Sequence, residues 1–197
     1  MPTKNQPATS DAIANAARII FESEGPAGIS MRRVADAVGI TPMAIYRHYP
    51  NREALLHRIS DDTFNEISGL WTAKKKKNPD VIKRLIELQD GYLDYAFAHP
   101  HMFDYAYSVR RDDARQFPED FRARRSPTLN LIADTLDEGM RAGIFRKDDI
   151  WDVAMAIWGM THGLICLYRA GRFSYSDRGF RTFYRASTRR LLDGLKA

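Results

Sequence analysis

The stretch Ile40-Thr41-Pro42-Met43-Ala44-Ile45-Tyr46-Arg47-His48-Tyr49-Pro50-Asn51-Arg52-Glu53-Ala54-Leu55-Leu56 decides how the chain is read. Thr41 is a good helix N-cap, and Pro42 follows at the first helical position, where a missing N–H costs nothing. A short helix is therefore predicted from Pro42 to about Tyr49, stopped by Pro50. Asn51 caps the next helix, which runs on through Leu55, Leu56, Ile59, Phe64, Ile67 and Trp71. Working back, Ser30 caps a helix with an inner face of Met31, Val34, Ala35 and Val38, and Gly39 is the left-handed residue that ends it. Ile13, Ala16, Ala17, Ile20 and Phe21 recur at helical spacing, which predicts a first helix from about Ser10 to Glu24, stopped by Gly25-Pro26.

Two short helices joined at Val38-Gly39-Ile40 have the spacing of a helix-turn-helix, whose second helix presents its N-terminal residues to a DNA major groove. Ala35 is small where the helices cross, Ile40 and Ile45 turn inward, and Thr41, Pro42, Met43 and Arg47 face outward. On spacing alone, an ordinary helical hairpin of an α-bundle is an equal alternative.

The quoted string resembles the signature of the TetR/AcrR family of transcriptional regulators. Its Thr-led recognition helix ends in the Tyr-x-His-aromatic element Tyr46-Arg47-His48-Tyr49, and a turn leads to a basic residue, Glu53 and two leucines. The resemblance extends back through Met31–Gly39 and the first helix, covering about residues 10–57. Arg52 stands where Lys is commoner and Tyr49 where Phe is; both substitutions keep the chemistry, cationic and aromatic. The resemblance implies phosphate contacts from Tyr46 and His48, with Ser30 and Arg52 touching the DNA backbone at the starts of their helices. Arg33, Thr41, Met43 and Arg47 are the candidates for base contacts, because arginine bonds guanine through two donors and an apolar side chain meets the thymine methyl. Tyr49 is expected in the core, and Lys4 in the N-terminal arm as a further phosphate contact.

The run Lys74–Lys77 followed by Asn78-Pro79 reads as a charged break. The expected division is a helix-turn-helix domain over 1–57 (arm 1–9, motif about 30–49), a linking helix and lysine-rich linker over 58–77, and a second domain over 78–197. Further helices are predicted at about 79–98, 99–109, 118–142 with an interruption at Ser126-Pro127, 148–170 and 175–195, with no convincing strand. The fold class is all-α: an N-terminal three-helix DNA-binding domain followed by a helical ligand-binding and dimerisation domain.

In the second domain, Trp158-Gly159-Met160-Thr161-His162-Gly163 resembles the Trp…His-Gly element of one subgroup of TetR-like C-terminal domains. Trp158 and His162 fall one turn apart on one helix face. They serve either as a pocket wall or as a packed core pair. Aromatics crowd residues 92–107, and Tyr92, Tyr95, Phe103 and Tyr107 join Trp158 and His162 as candidate ligand-binding residues, apolar walls with a few polar tips. The helices at about 148–170 and 175–195 carry more apolar positions than one helix face needs, which predicts a homodimer through them or else a thicker monomer core.

The chain has 197 residues with 44% hydrophobic and 28% charged side chains, so a sizeable core is affordable and wholesale disorder is excluded. Net charge is +5, divided between both halves, so any nucleic-acid site depends on local arrangement. The first ten residues lack an apolar core for a secretory signal, and the uncharged apolar run from Val153 to Tyr168 is shorter than a membrane span, which predicts a cytoplasmic protein with no membrane partner. No phosphate loop, nucleophile elbow or zinc-helix motif is present, so neither an enzyme nor a cofactor is expected. His99-Pro100-His101 with Asp104 reads as a helix start rather than a metal set, Asp112-Asp113 and Asp148-Asp149 as loop or helix-start charges, and the single Cys166 as a buried thiol. The expected function is a ligand-responsive, sequence-specific DNA-binding regulator. It is read as a repressor released from a palindromic operator on double-stranded DNA by a partly apolar small-molecule effector. The alternative is an all-α carrier or enzyme with a vestigial helix-turn-helix.

Overall fold

The computed structural model describes residues 9–75, 79–107 and 114–197. These form ten α-helices: α1 (Thr9–Glu24), α2 (Met31–Val38), α3 (Pro42–Ile45), α4 (Arg52–Lys75), α5 (Val81–Ala98), α6 (Pro100–Tyr107), α7 (Glu119–Arg122), α8 (Pro127–Arg141), α9 (Ile150–Arg169) and α10 (Asp177–Gly194). A 3₁₀ turn at Pro26–Gly28 joins α1 to α2, and no β-strand occurs among the described residues. The all-helical class is as expected, and the caps explain it locally. Ser30, Thr41 and Asn51 accept from the backbone N–H groups of Arg33, Ala44 and Ala54, and Gly39 is left-handed at φ 74°.

One boundary differs from the sequence reading. The helix beginning at Pro42 makes one α-helical turn, after which Arg47 and His48 N–H groups bond to carbonyls three residues back and tighten the chain toward Pro50. The segment 118–142 is interrupted at Ser126-Pro127 as expected, because the Ser126 hydroxyl accepts from Leu129 N–H and restarts the chain as α8. Helix α4 is described as far as Lys75, and residues 76–78, on which most of the expected charged break falls, lie outside the described residues.

By packing, the chain divides into two units. Unit 1 holds residues 9–65 and 98–107, and unit 2 holds 66–75, 79–97 and 114–197. Helix α6 groups with unit 1 because it packs on α1. Phe21 meets Tyr105 edge to face at 5.6 Å, and Glu22 pairs with His99 at 3.3 Å. Gly25, at φ 72°, lets the chain turn beside His101, whose ring would touch any added Cβ at 3.0 Å. The core of unit 1 is Ile13, Ala17, Phe21, Val34, Ala35, Ile45, Leu55, Leu56 and Phe103. Arg58 ties α4 to α1 through Asp11 at 2.9 Å.

Unit 2 is built around α9, which packs against α8 and α10. Ala154, Ile157, Thr161 and Ile165 form its buried side. Asp149 starts α9 by accepting from Trp151 and Asp152 N–H groups, and Arg122 holds that carboxylate at 2.9 Å and well below its ordinary pKa. Across α5 and α10, Arg185 bonds Asp90 at 2.8 Å and Arg181 pairs with Asp94. Burial drives the Tyr184 phenol pKa up, and its hydroxyl donates to the Gln89 carbonyl at 3.1 Å.

Candidate nucleic-acid interface and effector cluster

The helix-turn-helix sorts its residues by burial. Val34, Ala35 and Ile45 are completely buried and lock α2 against α3 and α1, so α3 has one orientation in unit 1. Tyr49 is buried as expected: its hydroxyl lies 3.0 Å from Ser10 Oγ and donates to the Ser10 carbonyl at 3.1 Å, pinning the first turn of α1. On the other side, Thr41, Pro42, Met43, Tyr46, Arg47 and His48 are all exposed. Met43 and Tyr46, at 73% and 49% exposure, are large apolar surfaces turned to solvent for which unit 1 gives no packing reason. A row of hydroxyl, thioether, phenol, guanidinium and imidazole groups along α3 and the turn after it is suited to the edges and phosphates of a groove.

Three other candidates have structural duties as well. Ser30 spends its hydroxyl on the α2 cap. Arg33 is bound to Glu24 through both terminal nitrogens and also reaches the Gly28 carbonyl at 3.2 Å. That pairing holds the Glu24 carboxyl below its ordinary pKa. Arg52 donates from Nε to the Ile29 carbonyl at 2.9 Å and from Nη2 to the Pro26 carbonyl, closing the 3₁₀ turn. Sequence reasoning missed these uses because Glu24 and Pro26 lie far from their arginines in the chain. Lys4 and Asp112-Asp113 lie outside the described residues.

The six candidate ligand residues are divided between the two units. Phe103 and Tyr107 belong to unit 1, where their rings pack edge to face at 5.3 Å. Tyr92, Tyr95, Trp158 and His162 belong to unit 2. There, Tyr92 OH and His162 Nδ1 are 2.8 Å apart, and Trp158 lies 5.8 Å from the His162 ring. Phe121 of α7, which the sequence did not single out, continues the row 6.3 Å from Trp158. Burial lowers the His162 pKa from the ordinary 6.5, so the ring is neutral at physiological pH. Beside it, Thr161 donates to Gln89 Oε1 at 3.0 Å inside the core. Cys166, expected to be buried, is partly exposed, with its sulfur 3.3 Å from His162 Nε2.

The outer side of α9 is of another kind. Ala156, Gly159 and Leu167 are exposed and Gly163 partly so, and a Cβ added at either glycine meets nothing within 4 Å. Of the apolar positions expected to serve a partner subunit or the monomer core, Ala154, Ile157, Thr161 and Ile165 are buried in the core of unit 2. By length and composition α9 passes for a membrane span, but it packs against α8 and α10.

Comparison with known proteins agrees with this architecture. A model of the bacterial regulatory proteins of the tetR family matches residues 13–59, and one of the tetracyclin repressor-like C-terminal domain matches residues 85–195. The molecule is a regulator that binds DNA through its helix-turn-helix and carries a second, helical domain. It belongs to the TetR family. Among its relatives, the nucleoid occlusion factor SlmA of Aliivibrio fischeri is 30% identical over 89% of this chain and 91% of its own. The HTH-type transcriptional repressor KstR2 of Mycolicibacterium smegmatis is 26% identical over 74% of this chain and 72% of its own. The fold of the regulator FadR from Bacillus subtilis, solved in complex with stearoyl-CoA, superposes with a TM-score of 0.73 at 14% identity, covering 94% of this chain and 98% of that one.

Proposed function

We propose that this protein is a dimeric transcriptional repressor that binds a palindromic operator and is released from it by an effector with a long apolar part, an acyl thioester being the class to try first. The observation that carries the reading is the exposed row Thr41, Pro42, Met43, Tyr46, Arg47 and His48 along α3 and the turn after it, behind which Ile45 is fully buried. In this reading Tyr46 and His48 grip phosphates, aided by the N-terminus of α2 at Ser30 and by Arg52. Thr41, Met43 and Arg47, with Arg33 once it leaves Glu24, meet base edges beside Pro42.

The effector binds in unit 2 among Phe121, Trp158, His162 and Tyr92, near Tyr95. The name of KstR2, a repressor, supports the sign of regulation, and FadR, a neighbour in fold, was solved with stearoyl-CoA, which supports the effector class. The exposed small-residue side of α9 supports a second copy of the chain as its cover, and two-fold symmetry then matches a palindrome. Helix α4 begins in unit 1 and ends in unit 2, and through it the effector shifts the spacing of the two recognition helices. Release requires that the effector prefer the spread form; equal affinity for both forms releases nothing.

Selection from a random DNA library with the purified protein tests the reading. A palindromic motif whose half-sites lie one helical turn or a multiple apart, lost on adding stearoyl-CoA, is the expected result. No enriched motif at moderate salt overturns the operator, and a motif indifferent to acyl thioesters overturns the effector class.

A further inference from the structure

On α10, Arg178, Arg181 and Arg185, with Thr182 among them, line a groove of about 470 Å³. Three- and four-residue spacing puts them on one side of the helix. Two of the three guanidinium groups are held in place from α5. Arg185 gives Nε to both carboxylate oxygens of Asp90, at 2.8 and 2.9 Å. Arg181 gives Nη1 to Asp94, and its guanidinium carbon lies 5.2 Å from the centre of the Phe97 ring. A guanidinium carries several N–H donors in a planar fork, so each aspartate fixes its arginine through one nitrogen and leaves the other two. Arg178 has no carboxylate partner among the described residues and carries the positive charge that the two pairs do not cancel. Planar donors left over on preoriented arginines are the donor set that phosphate accepts in bidentate fashion.

One residue along each helix leads from this groove to the interior of unit 2. Arg185 and Asp90 directly follow Tyr184 and Gln89, and the Tyr184 hydroxyl donates to the Gln89 carbonyl at 3.1 Å. The Gln89 side chain in turn accepts from Thr161, the residue before His162. Groove and effector cluster therefore share the packing of α5 against α9 and α10.

We propose that the groove holds the phosphates of the effector, those of the nucleotide end of a coenzyme A thioester, while the acyl chain enters among Phe121, Trp158 and His162. The inference rests on the reading of the effector as an acyl thioester and adds the residues that recognise its carrier. Arg178 supplies charge, and Arg181 and Arg185 supply bonds whose direction Asp94 and Asp90 fix. A free long-chain acid has no group for this groove, so the protein senses the activated thioester and not the acid from which it is made.

Calorimetric titration of the full chain tests this with three probes: adenosine 3′,5′-bisphosphate, stearoyl-CoA below its micellar concentration, and stearate. The variant is Arg178→Glu. Position 178 lies in the first turn of α10, where a carboxylate suits the helix dipole, so the exchange leaves the fold intact. The bisphosphate and stearoyl-CoA are expected to bind the wild type and to lose at least about tenfold in affinity in the variant, with stearate unaffected by the exchange. No binding of the bisphosphate to the wild type, or equal binding to both proteins, overturns the proposal. So does a change in the sedimentation of the variant, which would make the groove a contact between subunits. Stearoyl-CoA bound equally by both proteins keeps the acyl thioester reading and removes the groove. The bisphosphate bound and weakened as expected, with stearoyl-CoA bound by neither, keeps the groove as a nucleotide phosphate site and removes the acyl thioester reading.

Discussion

Glu24, the last residue of α1, holds the guanidinium of Arg33 on α2 through both of its carboxylate oxygens, so an arginine in the DNA-binding motif already has an anion. A phosphate or a guanine must compete with that carboxylate. Glu24→Gln is therefore expected to raise DNA affinity several-fold in fluorescence anisotropy, and Arg33→Ala in the same background to remove the gain. No change in the Glu24→Gln variant would make Arg33 purely a brace between the first two helices.

Tyr46 and Arg47 are neighbours with different expected readouts. Tyr46→Phe removes one hydroxyl and weakens operator and random DNA alike, whereas Arg47→Ala relaxes preference at one base pair by about 1–3 kcal/mol. Binding across a panel of single-base operator variants separates the two, and identical profiles for the two substitutions would contradict the assignment.

Gly139 and Gly163 make a second contrasting pair. A Cβ on Gly139 meets the Phe145 ring at 2.5 Å, so Gly139→Ala overpacks the unit 2 core and costs about 1–3 kcal/mol of stability in urea unfolding. A Cβ on Gly163 meets nothing within 4 Å among the described residues, and alanine favours the helix by up to about 1 kcal/mol. Gly163→Ala is thus expected to keep or raise the stability of the protomer while shifting sedimentation toward a 22.6 kDa species. A dimer unaffected by this change would place the subunit contact elsewhere.

The lowered His162 pKa has a defined sign. The ring is neutral in the native protein but titrates near its ordinary 6.5 in the unfolded chain, so the unfolded state binds more protons below that pH. Its contribution is complete above pH 6.5 and is lost as the pH falls toward the lower, folded pKa. Unfolding free energies from pH 7 to pH 5 should fall more steeply for the wild type than for His162→Gln; parallel curves would show that the histidine is not desolvated.

What the chain declared in advance was mostly local. Ser30, Thr41, Asn51 and Gly39 act within three or four residues of themselves, and each cap and stop falls where its side chain predicts. Partner choice over long separations was not legible. The aromatics of 92–107 look alike in sequence, yet Phe103 and Tyr107 pack in unit 1 while Tyr92 belongs to unit 2, a division made by how α6 docks on α1. Arg52 read as a phosphate ligand, but the carbonyls it holds are 23 and 26 residues away. Trp158 and His162 were visible as one helical turn apart, but the contact of His162 with Tyr92, contributed by another helix, was not.

Helix α9 leaves few of its positions idle. One side fills the core with Ala154, Ile157, Thr161 and Ile165, an edge carries Trp158, His162 and Cys166, and the outer side is kept small at Ala156, Gly159 and Gly163. Random substitution along the chain should find its narrowest tolerance there. As far as the fold is concerned, the long solvent-facing arginines of α10 should accept exchange far more readily, so innovation in this molecule has more room at its last helix than at the one before it.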